Sequence, residues 1–215
     1  MLNQFKNPEN QTPCFVIHNV FTPERCQEII DQYKNKVSKA SHDDGKGGLT
    51  SAEDNIRSSQ IAWINDPDIN NTLKNMMTIS NHSAGWSYDI TSHEQHQFTK
   101  YEPNDHYSWH YDGSGCNFSK RHFTFGTPNS LLEVAIPGCI GTVRKISASV
   151  LLNDDYSGGE FDAAFIEDGA LIKKEIKPKI GDAIFFPSAM THRVRPVKVG
   201  TRYSLVCWFA GPPFK

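Results

Sequence analysis

The sequence has no long apolar run: nowhere in its 215 residues does a stretch approach the roughly 18–20 apolar residues that cross a bilayer. It also lacks an excess of one charge. Its 22 basic and 24 acidic side chains leave a formal net charge of −2, so there is no polyelectrolyte footprint and no argument for a nucleic-acid partner. The five cysteines, Cys14, Cys26, Cys116, Cys139 and Cys207, are odd in number and form no C-x-x-C, which speaks for reduced thiols rather than a disulfide framework or a zinc ribbon. Cys116 lies near Asp112 and is a conceivable ligand, but it reads first as a loop thiol. No repeat, linker or low-complexity tract interrupts the chain. The first residues, MLNQFKNPENQTPC, carry no apolar signal core, and the expectation is a cytoplasmic protein without a membrane partner.

What is present fits a soluble globular protein: 38% hydrophobic and 21% charged residues, enough for one sizeable core and one domain over 1–215. Helical support is expected over about 1–85. A strand at Cys14 to Val20 leads into a helix that Thr22 caps and Pro23 opens, with Cys26, Ile29, Ile30, Tyr33 and Val37 on its apolar face. Residues 41–55, SHDDGKGGLTSAEDN, read as a mobile loop. Arg57 to Ile64 reads as a strand, and Asp68 to Gly85 as a helix stopped by its glycine. From residue 86 onward nine short strands alternate with turns: Trp86–Ile90, Glu94–Tyr101, Tyr107–Asp112, Lys145–Asn153, Gly159–Ile166, Leu171–Ile176, Asp182–Pro187, His192–Val194 and Arg202–Phe209. A hairpin is expected about Glu167-Asp168-Gly169. This pattern predicts a sandwich or barrel.

The chemistry starts at YSWHYDGSG, residues 107–115. On an extended segment His110 and Asp112 share one face. Taken alone, the pair reads as a buried histidine held by its neighbour. A third partner stands far along the chain in FFPSAMTHRVRPVKVGTRYSLVCWF: His192, with Arg202 ten residues later. Two histidines and one carboxylate are the donor set of the facial triad of non-haem iron oxygenases.

Four blocks, QFTKYEPNDHYSWHYD, RKISASVLLNDDYSGGEF, KIGDAIFFPS and HRVRPVKVGTRYSLVCWFAGP, resemble the Fe(II)- and 2-oxoglutarate-dependent dioxygenases, and among them the prolyl 4-hydroxylase-like branch. The resemblance covers about 86–212. It implies a mainly β fold with flanking helices and a double-stranded β-helix, the cupin-like jelly-roll core. It also implies iron ligands at His110, Asp112 and His192, and Arg202 pairing with the distal carboxylate of 2-oxoglutarate. Ser204 shares the face of Arg202 and is a candidate second donor, and Tyr101 is a candidate cosubstrate contact. Arg144 and Trp208 match positions near the substrate. The implied activity is hydroxylation of an unactivated C–H bond, with Fe(II), 2-oxoglutarate and O2, succinate and CO2 as co-products, and ascorbate as a candidate reductant. Asp112 favours hydroxylation, because halogenating members lack that carboxylate.

The implied substrate is a prolyl residue in a peptide or protein. A free amino acid or small metabolite, a cupin-like binding module without turnover, and a zinc hydrolase are the alternatives. Two departures stand out. Leu151 occupies a position where some prolyl hydroxylases carry tyrosine, and the 113–143 stretch is longer than the family pattern, so it and the 41–55 loop are expected to act as lid or substrate-shaping elements.

Overall fold

The computed structural model describes residues 12–43, 49–51, 56–113 and 142–214. Helix α1 spans Pro23–Tyr33: the Thr22 hydroxyl accepts from the Arg25 amide, and Cys26, Ile29, Ile30 and Tyr33 are buried. It stops short of Val37, which packs half-buried against the same core. The chain cannot continue as helix there, because Ser38 and Lys39 already pair in extended form with Ile61 and Gln60. Helix α2 spans Pro67–Ser83, its first amides held by the Asp66 carboxylate. Gly85, at φ +73°, ends it in the left-handed conformation that costs glycine least.

The expected strand at Trp86–Ile90 does not form. The Trp86 and Ser87 amides donate to the Asn81 carbonyl, and the Asn81 side chain brackets Tyr88 through both its backbone groups. Those backbone groups are satisfied by the end of α2, so no ladder partner is needed.

Two antiparallel sheets face one another. The larger runs Phe15–Ile17, Ala183–Pro187, Val143–Leu151, Arg202–Gly211, His96–Tyr101, Gln60–Ile64, Ser38–Lys39, with Ser92–His93 pairing the far end of Arg202–Gly211. The smaller runs Ala170–Ile176, Phe161–Glu167, Thr191–Val194, His106–His110, Arg57–Ser58. This is the double-stranded β-helix, and strands from before residue 86 belong to both of its sheets.

The strand expected at Arg57–Ile64 is therefore divided. Arg57 pairs with Tyr107 in the smaller sheet and Gln60 with Lys100 in the larger, so the chain crosses between sheets at Ser59. The expected loop at 41–55 also contains pairing, Ser41–Asp43 against Leu49–Ser51. The lid expected within 113–143, along with Cys116 and Cys139, falls almost wholly outside the described residues. The hairpin forms as expected. Glu167 pairs with Ala170, leaving Asp168 and Gly169 at φ +50° and +77°, the two left-handed residues of a tight two-residue turn.

Alternation along the larger sheet sorts its side chains. Phe98, Ile146, Ala148, Val150, Leu205, Cys207 and Phe209 pack under the helices. The opposite face looks between the sheets, and there Gln97, Thr99, Ser147, Ser149, Arg202 and Ser204 are all buried. A buried surface this polar is costly without partners, and it leads directly to the site.

Candidate active site

His110 ends its strand and Asp112 lies beyond that end. The shared face along one strand is thus only half of what places the pair. The amides of Asp112 and Gly113 both donate to the Ser188 carbonyl, at 2.9 and 3.0 Å, in the turn after Ala183–Pro187. His192 is the register partner of His110 on the neighbouring strand, with ring centroids 4.2 Å apart. One sheet therefore supplies both imidazoles, and a turn anchored to the other supplies the carboxylate.

Each imidazole is oriented by its own chain. Nδ1 of His110 donates to the Ser108 carbonyl at 2.8 Å, and Nδ1 of His192 to that of Met190 at 3.0 Å. This turns each Nε2 inward, and the two lie 3.7 Å from Oδ1 and Oδ2 of Asp112 respectively. The Tyr107 ring stacks on His110 at 3.4 Å, while Phe186 flanks His192 at 4.6 Å. Burial, helped by the charge His192 would carry, pushes the His110 imidazole down to about 3. Burial works against ionised Asp112, but His192, His110 and Arg144 outweigh it and hold the carboxyl at about 2. Of these only Arg144 is a permanent cation.

A neutral His110 imidazole and an ionised Asp112 carboxylate are in the donor state a cation requires. Asp112 Oδ2 is fully buried with no hydrogen-bond partner among the described residues, and one donor atom from each of the three residues lies within 4.8 Å of the others. Each imidazole approaches a different oxygen of the one carboxylate, so the three side chains converge on a common point from both neighbouring strands and the turn. The residues fit a divalent metal held on one face, with its other positions open.

Arg202 is 2% exposed, in register with Tyr101, its guanidinium 5.5 Å from that ring. Nη1 donates to the Ser204 hydroxyl at 3.0 Å and Nε has no partner among the described residues. No carboxylate among the described residues pairs with it. Tyr101 is buried, and burial raises its phenol. Leu151 is the register partner of Ser204 and, with Tyr156, Phe161, Ile176 and Arg202, borders a cleft of about 160 Å³.

Arg144 and Trp208 come together at the other end. The guanidinium lies 4.0 Å over the Trp208 ring, forms a two-pronged pair with Glu94, and donates from Nη1 to the Asp112 carbonyl at 3.3 Å. Glu94, Ser147, Ser188 and Tyr107 escaped the sequence reading. The parity of ISASVLL puts Ser147 on the inner face, but the placement of Glu94 depends on a contact 50 residues away in sequence.

Fold and site together define a non-haem, metal-dependent oxygenase built on a double-stranded β-helix. Residues 96–210 match the family model for the 2OG-Fe(II) oxygenase superfamily, and the chain belongs to that family. It is a 2-oxoglutarate-dependent oxygenase, and its family works with Fe(II), 2-oxoglutarate and O2. A putative prolyl 4-hydroxylase of Acanthamoeba polyphaga mimivirus is 27% identical over 207 residues, 91% of this chain and 73% of that one. A PKHD-type hydroxylase of Delftia acidovorans is 35% identical over 101 residues, 46% of this chain but only 39% of its own. Among solved structures, a Pseudomonas putida prolyl-4-hydroxylase superposes with a TM-score of 0.60 at 18% identity, over 92% of this chain and 91% of that one. A Trichoplax adhaerens prolyl hydroxylase, solved with a hypoxia-inducible-factor peptide fragment, gives 0.64 at 18% identity, over 92% and 83%. No helix among the described residues is long and apolar enough to cross a membrane.

Proposed function

We propose that this chain hydroxylates a prolyl residue in a peptide or protein, with His110, Asp112 and His192 holding Fe(II) and Arg202, Ser204 and Tyr101 holding 2-oxoglutarate. The observation that carries the reading is Arg202: a buried guanidinium with no carboxylate partner among the described residues, facing the same inter-sheet interior as three convergent metal donors. A buried unpaired charge is destabilising by several kcal/mol, so the site is built for an anion that arrives later. A cosubstrate with a carboxylate at each end suits it, one end at Arg202 and the other toward the triad. The names of the mimivirus relative and of the solved neighbours supply the prolyl substrate. The 86–212 core is the catalytic part of a single domain in this reading.

Bound iron supplies the activation of O2 and the oxidative decarboxylation of the cosubstrate to succinate and CO2. The protein's own contributions are positional. The Ser108 and Met190 carbonyls keep the Nδ1 protons in place, so both Nε2 atoms stay available. His192, His110 and Arg144 together favour ionised Asp112. Tyr107 and Phe186 wall the imidazoles and exclude water. Arg202 fixes the cosubstrate's far end, with Ser204 orienting its Nη1.

The test is incubation with Fe(II), 2-oxoglutarate and ascorbate against a panel of proline-containing peptides and free amino acids, read by mass spectrometry. The expected result is one added oxygen on a prolyl residue, dependent on 2-oxoglutarate, with matching succinate. Oxygen incorporation into free amino acids alone would transfer the proposal to a small-molecule substrate.

A further inference from the structure

We propose that Glu94 is a positioning residue for the metal centre, acting through Arg144 on the turn that carries Asp112. The inference rests on the metal assignment proposed above and extends it to a residue that touches neither metal nor cosubstrate.

The Glu94 side chain is 5% exposed and stands just before the His96–Tyr101 strand. Its amide donates to the Trp208 carbonyl at 2.9 Å, which pins its backbone to the terminal strand. Its two carboxylate oxygens take Nε and Nη2 of Arg144. That fork leaves Nη1, which points at the Asp112 carbonyl 3.3 Å away. The face of the guanidinium lies on Trp208, 4.0 Å from the ring centroid. All three nitrogens and one face of the Arg144 head group are thus engaged inside the protein.

This bears on the role of Arg144. A guanidinium recognises a substrate oxygen best with two parallel N–H groups, and Glu94 already occupies the Nε–Nη2 edge. What remains is a strut. It spans from the start of the Val143–Leu151 strand to the turn after His110, and a methyl group at Gly113 would sit 3.1 Å from Arg144 Cβ, so the two backbones are in close approach. Asp112 is held from one side by Ser188, which accepts from its amide, and from the other by Arg144, which donates to its carbonyl. Without Glu94 the Arg144 head group keeps only its stacking on Trp208 against rotating off that carbonyl, and the Asp112 turn loses the brace opposite its two bonds to Ser188. Groups that orient metal ligands from outside the coordination sphere typically govern affinity by 10–100-fold.

The experiment is Co(II) binding, followed by visible absorption, for wild type, Glu94→Ala, Arg144→Met, the double variant, and His110→Ala as a control. Near-ultraviolet circular dichroism establishes which are folded. The expected result is that Glu94→Ala and Arg144→Met each weaken Co(II) binding by about tenfold or more, and that the double variant is no weaker than the worse single, because the two act as one unit. A purely structural role would lower the unfolding temperature of the metal-free protein and leave Co(II) affinity at the wild-type value. That result in folded Glu94→Ala, or additive losses in the double, overturns the proposal. If Glu94→Ala leaves Arg144 as an unpaired buried charge and does not fold, the double variant, which removes both charges, decides: weakened Co(II) binding supports the proposal and wild-type affinity overturns it. Failure of the wild type to bind Co(II), or undiminished binding by His110→Ala, would instead sink the metal assignment itself.

Discussion

His110 and His192 are cross-strand partners whose rings stand 4.2 Å apart, each tied through Nδ1 to a backbone carbonyl two residues earlier in its own chain. Two protonated imidazoles at that distance would repel strongly in a dry interior. The tethers fix each ring's orientation, with both Nε2 atoms turned toward Asp112. Such an arrangement makes poor use of two histidines as structural groups and good use of them as ligands.

Replacing either histidine by alanine should therefore remove high-affinity Fe(II) or Co(II) binding while the folded state survives, since each ring is only one part of a larger inter-sheet core. Metal titration monitored alongside circular dichroism checks this. Wild-type metal affinity in either variant would break the ligand assignment. Turnover of 2-oxoglutarate should fall with metal binding in both.

Arg202 predicts a different separation. Arg202→Ala should leave Co(II) affinity close to wild type and weaken 2-oxoglutarate binding by on the order of 2–5 kcal/mol, the usual loss when one partner of a desolvated charge pair is truncated. Anaerobic titration of the metal-loaded protein measures it. Apo stability should rise or stay level, because the variant removes a buried charge that has no carboxylate partner among the described residues.

Much of this was legible in the sequence, for physical reasons that differ from residue to residue. Thr22-Pro23 and Asp168-Gly169 declared a cap and a turn because those residue types have few other conformational uses. The parity of Arg202, Ser204 and Trp208 followed from the pleat alone. His192 could be joined to His110 and Asp112 only as a donor set, since nothing local shows that residues eighty apart are register neighbours. What stayed hidden is what depends on crossings between layers. Arg57 and Gln60 belong to different sheets although they read as one strand. Trp86–Ile90 has strand-like composition, but its backbone groups are taken by Asn81. Glu94 read only as the first residue of an expected strand, and its burial against Arg144 is purely a tertiary fact.

His96 gives a pH dependence. It is 0% exposed in the helix-side core, neither ring nitrogen has a hydrogen-bond partner among the described residues, and burial depresses it to about 3. In the unfolded chain it returns to about 6.5. The unfolded state therefore binds the proton first: the stability from keeping His96 neutral is fully present above about pH 6.5 and is lost progressively as pH falls toward 3. Between roughly pH 6.5 and 4 this one group should contribute a loss on the order of 3 kcal/mol, at about 1.4 kcal/mol per pH unit. Chemical denaturation of wild type and His96→Phe across that range isolates the effect, because carboxylate titrations are common to both. Parallel stability curves would show that the imidazole gains a partner or a proton without unfolding.

Leu151 is the place where this chain departs from those prolyl hydroxylases that carry a tyrosine, and the geometry says what the departure should do. Leu151 is 4% exposed, sits directly across the ladder from Ser204, and borders the cleft of about 160 Å³ that also reaches Arg202. Its side chain shares the inner face with Ser147 and Ser149, so a larger group there extends toward Arg202 rather than into the helix-side core. A tyrosine in its place would bring a hydroxyl to the end of the pocket where the cosubstrate's distal carboxylate is proposed to lie, and the adjoining cleft gives the ring somewhere to go. One added hydrogen bond to a charged acceptor is worth about 1.5–3 kcal/mol, set against an overpacking cost of roughly 1–3 kcal/mol if the ring does not fit without shifts. The space beside Leu151 tips the balance toward binding: Leu151→Tyr should tighten 2-oxoglutarate by several-fold in anaerobic titration, with metal affinity unchanged because His110 and His192 lie on the other sheet and Asp112 in the turn beyond His110. The gain should also vanish in the Arg202→Ala background, where the carboxylate is no longer drawn to that end. A Leu151→Tyr protein that folds, binds Co(II) normally and holds 2-oxoglutarate no tighter than wild type would mean that the Arg202–Ser204 pair already saturates the carboxylate without help from this position.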